Sequence, residues 1–288
     1  MIRTIGRLVA SSRPLSWINT AYPFGAAYLL VAGRLDLRAV VGIAFFLVPY
    51  NLLMYGINDV FDHESDLRNP RKGGVEGVVL DRSLHRATVW TASLLPVPFV
   101  LWLLAHGSPL AGLVLLVTVA AVVAYSAPGL RFKERAFVDS ATSSTHFVGP
   151  AVYGVVLTGA HLPWQGWVAL VAYFLWGVAS HAFGAVQDIG PDREAGIGSV
   201  ATAVGARATV RLSAAAYGLA GLLLATTGRW GVLAGLLVLP YLWMVRPYLD
   251  LTDEDAPRAN AGWRRFLWVN YLVGFLLTQL LIARWLLG

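Results

Sequence analysis

The apolar residues of this 288-residue chain are gathered into runs of about twenty, the length a helix needs to cross a bilayer core of about 30 Å. Lipid offers no partner to backbone N–H and C=O groups, so a chain built from such runs is confined to helices that bond internally. Windows of about 19 residues place spans near 17–33, 39–57, 87–105, 110–126, 136–158, 164–186, 209–227, 230–248 and 266–287. The expected fold is therefore all-α: a polytopic membrane protein, a bundle of about nine transmembrane helices forming a single domain over residues 1–288. Composition agrees, with 57% apolar residues, 13% charged residues and a mean hydropathy of +0.62, values far from those of soluble domains. The fifth run is the least regular because it holds Asp139 and His146, and the eighth is interrupted by Pro240.

Where the charges fall sets the expected topology. With nine spans, the amino terminus shares a side with the connections after the second, fourth, sixth and eighth. Every Lys and Arg lies on that side except Arg34, Arg38, Arg229 and Arg284. By the positive-inside rule that side is cytoplasmic, in a bacterial-type cell membrane, and the net charge of +6 needs no nucleic-acid partner. The opening segment carries Arg3, Arg7 and Arg13 but no apolar core followed by a cleavage site, so no removable signal peptide is expected. Cysteine is absent, which excludes disulfides and thiol chemistry.

Two of the long connections on the cytoplasmic side begin with acids. After the second run comes Asn58-Asp59-Val60-Phe61-Asp62-His63-Glu64-Ser65-Asp66. If the helix continues, Asn58, Asp62 and Asp66 recur every four residues on one face, with Asp59 beside them. Carboxylates stacked in this way repel one another unless a cation lies between them, and oxygen ligands of this kind suit Mg²⁺. After the sixth run comes Gln187-Asp188-Ile189-Gly190-Pro191-Asp192-Arg193-Glu194-Ala195-Gly196, where Asp188 and Asp192 repeat the spacing. Pro191 and Gly190 argue against a continuous helix there, so the spacing implies proximity rather than a shared face. Either cluster alone also fits a solvated helix end. Two clusters at matched topological positions point to a metal site, with the halves facing each other across the bundle.

Basic residues near both clusters imply a polyanionic ligand, and a diphosphate fits. The candidates are Arg13, Arg71, Lys72, Arg131 and Lys133, each of which also fits a snorkelling, topology-setting role. No Walker loop is present, which disfavours nucleotide hydrolysis. A carrier of a phosphorylated metabolite would use the same groups without catalysis, and at this point that alternative stays open.

NDVFDHESD resembles the NDxxDxxxD motif of the UbiA superfamily of intramembrane prenyltransferases, and QDIGPDREAGI resembles its second motif. YSAPGLRFK resembles the Tyr-Ser motif and following cation of the same superfamily. Within it, RPLSWINTAYPFGAAYLL, PYNLLMYGINDVFDHESDLRNPRKGGVEG and QDIGPDREAGIGS are most similar to lycopene elongases of C50 carotenoid biosynthesis. The resemblance implies helices around a central cavity open to lipid, and Mg²⁺-dependent transfer of an isoprenoid from its diphosphate. It implies Asn58, Asp62, Asp66, Asp188 and Asp192 as metal ligands, with Asp59 close by. Arg13, Arg71, Lys72, Ser126, Arg131 and Lys133 would contact diphosphate, and Tyr125 would sit near the leaving group. The implied donor is dimethylallyl diphosphate and the implied acceptor is lycopene; a quinone ring, chlorophyllide or glycerol phosphate is the alternative.

In such a reaction the allylic C–O bond breaks, and water has to be kept from the resulting cation. Attack by a lycopene double bond leaves a tertiary cation that loses a proton or captures water. Ionisable groups inside a membrane are functional candidates by default, so His146 and His181 are candidates for proton removal, with Asp139, Thr142 and Ser143 on the same face as His146.

Overall fold

The computed structural model describes residues 2–68 and 80–287; the side chains of residues 2–4, 65, 66 and 68 also lie outside the description. Arg71, Lys72 and the carboxylate of Asp66 are therefore outside it. The described chain is helical, and seven of its helices are long and apolar enough to cross a membrane. They correspond to seven of the nine expected spans. The first and fifth expected spans are also helices, but the first has only 15 residues and the fifth carries polar residues through its first half.

The chain divides into two compact units. The first comprises Met1–Phe132 with Thr145–Leu162, and the second Lys133–Ser144 with Pro163–Gly288. In the first unit α1 (Ile2–Ser11) precedes α2 (Ile18–Ala32), α3 (Leu37–Phe61), α4 (His63–Arg68), α5 (Arg82–His106) and α6 (Pro109–Ser126). Helix α7 (Val138–Leu157) starts in the second unit and ends in the first. The second unit continues with α8 (Trp164–Val186), α9 (Ile189–Glu194), α10 (Val200–Val204), α11 (Ala206–Ala225), α12 (Arg229–Tyr248) and α13 (Ala256–Leu287).

Local chemistry sets the ends and breaks of these helices. Asp36 caps α3 by accepting from the amides of Arg38 and Ala39, and Ser108 caps α6 ahead of Pro109. Pro49 has no N–H to give and the helix is interrupted at Val48 just before it, which leaves nearby carbonyls without regular helical donors in a place lipid cannot satisfy. Asn51 Nδ2 takes them, donating to Phe46 O at 2.8 Å and Leu47 O at 3.1 Å. One widened π-turn, Leu52–Gly56, follows directly and leads into the first acidic motif, a position where such turns commonly mark functional sites.

In lipid the hydrophobic effect does not drive one helix onto another, so close packing of small residues and aromatic rings has to hold the helices together. Within the first unit a Cβ on Gly154 would lie 2.6 Å from Phe24 O, and one on Gly42 would strike the Phe24 ring at 2.1 Å. Phe24, Phe46 and Tyr153, all fully buried, pack with ring centroids 5.1 to 6.0 Å apart. The second unit has its own aromatic core, with Tyr217 stacked on Tyr241 at 5.1 Å and Trp176 and Tyr241 both against Phe266.

Candidate active site

The first acidic motif sits where α3 gives out. The helix does not continue through it: α3 ends at Phe61, Asp62 adopts φ −98°, ψ 2°, and α4 starts at His63. The condition for one continuous face is therefore not met. The spacing from Asn58 to Asp62 survives the break because Asp62 N–H still donates to Asn58 O at 2.9 Å.

Three of the motif's described polar residues, Asn58, Asp59 and Asp62, separate by environment. Asn58 and Asp62 are partly accessible, whereas Asp59 is buried. Asn58 Oδ1 accepts from Ser126 Oγ at 2.9 Å, which fixes its orientation from α6. Asp59 is enclosed by the amino-terminal segment: Oδ2 accepts from Ser11 Oγ at 2.8 Å and Oδ1 from Arg13 Nη2 at 3.1 Å. The Arg13 guanidinium also lies over the Tyr55 ring at 4.3 Å, a cation–π contact. Asp62 pairs with Arg131, Nη2 to Oδ1, at 3.5 Å.

Arg13 and Arg131 are two of the three described non-glycine residues with positive φ, at 51° and 40°. Left-handed backbone costs an ordinary residue about 1–3 kcal/mol and clusters at functional sites. Both guanidiniums are thus brought to motif carboxylates at the expense of local backbone strain. Tyr125, one residue before Ser126, meets the edge of the His146 ring at 4.9 Å. Sequence reading missed the clasp beside the motif, where His63 packs edgewise on His85 at 4.7 Å and Glu64 pairs with Arg82. His63 lies within the motif itself, but its partners come from α5, too far along the chain for spacing to reveal them.

The second motif is built on a similar break. Helix α8 ends at Val186, and Asp188 takes φ −99°, ψ 0° as the residue preceding α9. This is close to the geometry of Asp62, in the bridge region where active-site residues are often found. Pro191 does not destroy a helix here. It falls in the first turn of α9, where N–H groups have no intrahelical acceptor in any case. Asp192 N–H donates to Asp188 O at 2.9 Å, so the four-residue spacing is a true helical repeat, and both side chains are partly accessible.

Arg193, between the motif acids Asp192 and Glu194, was not singled out from sequence. Its Nη1 meets Asp253 Oδ2 at 2.7 Å and its Nη2 donates to Thr202 O at 3.2 Å. Asp253 Oδ1 in turn accepts from Ala206 N–H at 2.7 Å, at the start of α11. That amide bond, assisted against partial burial by Arg193, holds the Asp253 carboxyl below its ordinary range. Gln187 ties the other end of the motif to α13, accepting from Asn260 Nδ2 at 2.6 Å. Lys133 opens the second unit, half-buried in the short turn Phe132–Glu134.

Among the described residues no three His, Asp or Glu side chains converge on one point. Asn58 with Asp62, and Asp188 with Asp192, are accessible hard-oxygen donors, and their chemistry fits Mg²⁺.

Residues 20–281 match the UbiA prenyltransferase family. The chain belongs to that family. A lycopene elongase/hydratase of Corynebacterium glutamicum is 50% identical over 283 residues, which is 98% of this chain and 99% of that protein. The C(50) beta-cyclic carotenoids biosynthesis protein LbtBC of a Dietzia species is 54% identical over 94% of this chain and 63% of its own length. Among solved structures, a UbiA homologue from Archaeoglobus fulgidus bound to DMAPP and Mg²⁺ matches with a TM-score of 0.65. It is 18% identical, and the match covers 93% of this chain and 98% of that one. At that identity the likeness establishes the UbiA fold and no more. As a UbiA member the protein is an integral membrane enzyme, an intramembrane prenyltransferase.

Proposed function

We propose that this UbiA enzyme transfers a dimethylallyl group from its diphosphate to an end of lycopene, in a Mg²⁺-dependent reaction. The observation that carries the reading is the 50% identity, over nearly the whole of both chains, to a relative named lycopene elongase/hydratase. Asn58, Asp62 and Asp66 in one motif and Asp188 and Asp192 in the other are the assigned metal ligands. Mg²⁺ held there would offset the charge of the departing diphosphate.

The protein's own residues then have distinct tasks. Ser126 orients Asn58 through its hydroxyl. Arg131, already paired with Asp62, is the first candidate to donate to diphosphate oxygens, and Arg71, Lys72 and Lys133 are further candidates for the same anion. Arg13, whose Nη2 is paired with Asp59, is a further candidate for the same anion. Tyr125 is assigned to the neighbourhood of the leaving group, where an aromatic face would stabilise an allylic cation by about 0.5–2 kcal/mol. The product cation is resolved by proton loss, for which His146 and His181 are the candidates, or by capture of water.

Purified protein incubated with labelled dimethylallyl diphosphate, Mg²⁺ and lycopene should yield a labelled, longer carotenoid. Diphosphate release without any elongated carotenoid, when a quinone or chlorophyllide acceptor is converted instead, would replace lycopene in this reading. Failure to release diphosphate at all would favour a carrier. We further propose that the amino terminus and both acidic motifs face the cytoplasm. The natural chain has no cysteine, so single cysteines introduced before α1 and after α2 can be labelled from each side of the membrane without background.

A further inference from the structure

Resting on the prenyl-transfer reading above, we infer that His181 is the residue that resolves the product cation, and that Asp139 and Ser140 are its positioning residues. All three belong to the second unit. Ser140 Oγ and His181 Nδ1 lie 3.1 Å apart in a hydrogen bond. Asp139 is fully buried in the first turn of α7. Its Oδ2 accepts from Val200 N–H at 2.9 Å, which holds the carboxylate rigidly, and its Oδ1 has no hydrogen-bond partner. A buried carboxylate oxygen left in this state is costly. What stands near it is His181, which lies within electrostatic reach of Asp139.

The arrangement is one in which a buried carboxylate stabilises an imidazolium as it forms. With the Nδ1 proton donated to Ser140 Oγ, the lone pair of the ring is on Nε2. His181 is partly accessible, whereas Ser180, Ala182 and Phe183 around it are buried. Asp188 follows seven residues later, just past the end of α8 at Val186, about 10 Å along the axis at 1.5 Å per residue.

The step balances as follows. The allylic C–O bond breaks and its electron pair leaves with diphosphate. The acceptor double bond supplies the pair for the new C–C bond and becomes a tertiary cation. Nε2 of His181 takes a proton from the adjacent carbon, and the C–H pair closes the new double bond. Alternatively a water oxygen bonds to the cation and gives its proton to the same nitrogen. The imidazolium then passes that proton to the released diphosphate.

His146 is placed differently. Its ring is packed against Tyr125 and it is almost fully buried, whereas His181 is partly accessible.

The test measures elongated carotenoid formed per diphosphate released, using full-length protein in lipid nanodiscs with dimethylallyl diphosphate, Mg²⁺ and lycopene. His181→Gln and Asp139→Asn should lower that ratio by about tenfold or more, while diphosphate release stays within about threefold of wild type. Ser140→Ala should lower it less. Asp139→Asn preserves shape and an oxygen for Val200, so it serves if His181→Gln does not fold. An unchanged ratio in both variants overturns the inference. A parallel fall in release and elongation in all three variants, as a packing role predicts, overturns it as well, and so does a fall in the ratio confined to His146→Gln. Wild-type protein that is folded and forms no elongated carotenoid would instead defeat the underlying reading.

Discussion

Arg13 Nη2 donates to Asp59 Oδ1 at 3.1 Å, and the carboxylate that accepts it is shielded completely from solvent. This pair divides the first motif into an acid that holds the protein together and acids that remain open to a ligand. It also fastens the segment after α1 to the end of α3, with Ser11 as a second tie.

Removing one partner of a buried pair leaves the other charge uncompensated, at a cost of about 3 kcal/mol or more. Asp59→Asn should therefore lower stability markedly, as should Arg13→Gln, measured by denaturation of detergent-solubilised protein. The double variant should lose less than the sum of the two, because neither charge is then stranded. Additive losses would mean that the pair carries no coupling.

Asp62→Ala and Asp192→Ala should behave in the opposite way. Both side chains are partly accessible at helix breaks, and an accessible pair such as Asp62 with Arg131 contributes about 1 kcal/mol or less. Each variant should insert and fold with a near-normal melting temperature and lose turnover. Residual activity above about one per cent of wild type in either would contradict a ligand role.

Arg193 faces Asp253 and Thr202, so its effect on the second motif is indirect. Replacing a residue that orients a metal ligand commonly costs about 10–100-fold in metal affinity. Arg193→Ala should raise the Mg²⁺ concentration for half-maximal activity by about tenfold, with little change in the rate at saturating Mg²⁺. Arg193→Lys, which keeps the charge but not the fork, should fall between. A Mg²⁺ titration that matches wild type in Arg193→Ala would remove this role.

The broad outline was legible because lipid leaves so few options: apolar runs of the right length had to be helices, and seven of the nine expected spans meet the length and apolarity for crossing. The two acidic motifs were legible as well, since charge after an apolar run requires a cause. Hidden from sequence was the sorting of acids within a motif. Asp59 and Asp62 look equivalent in a string, and only the return of Ser11 and Arg13 over Asp59 distinguishes them. Pro191 was read as a threat to the helix because sequence does not reveal that Asp188 precedes a new first turn. Arg193 was overlooked because its partner lies sixty residues away, in the connection before α13.

The connection between α2 and α3 allows a prediction about pH. Partial burial alone would raise the Asp36 carboxyl, but hydrogen bonds from Tyr28 Oη and the Ala39 amide, together with Arg38, bring it down to about 2. A carboxyl depressed in the folded state stabilises it at any pH above its unfolded value near 4, and that contribution fades as pH falls towards the folded value. At this partly exposed position solvent screening reduces the stabilisation to about 1 kcal/mol. Arg38 extends the effect, since it also donates to Leu157 O at the end of α7. Asp36→Asn should therefore destabilise the protein at neutral pH, and the gap between variant and wild type should close between about pH 4 and pH 2. Thermal unfolding across that range reads it directly, and a gap that persists at pH 2 would assign the stabilisation to cap geometry instead of charge.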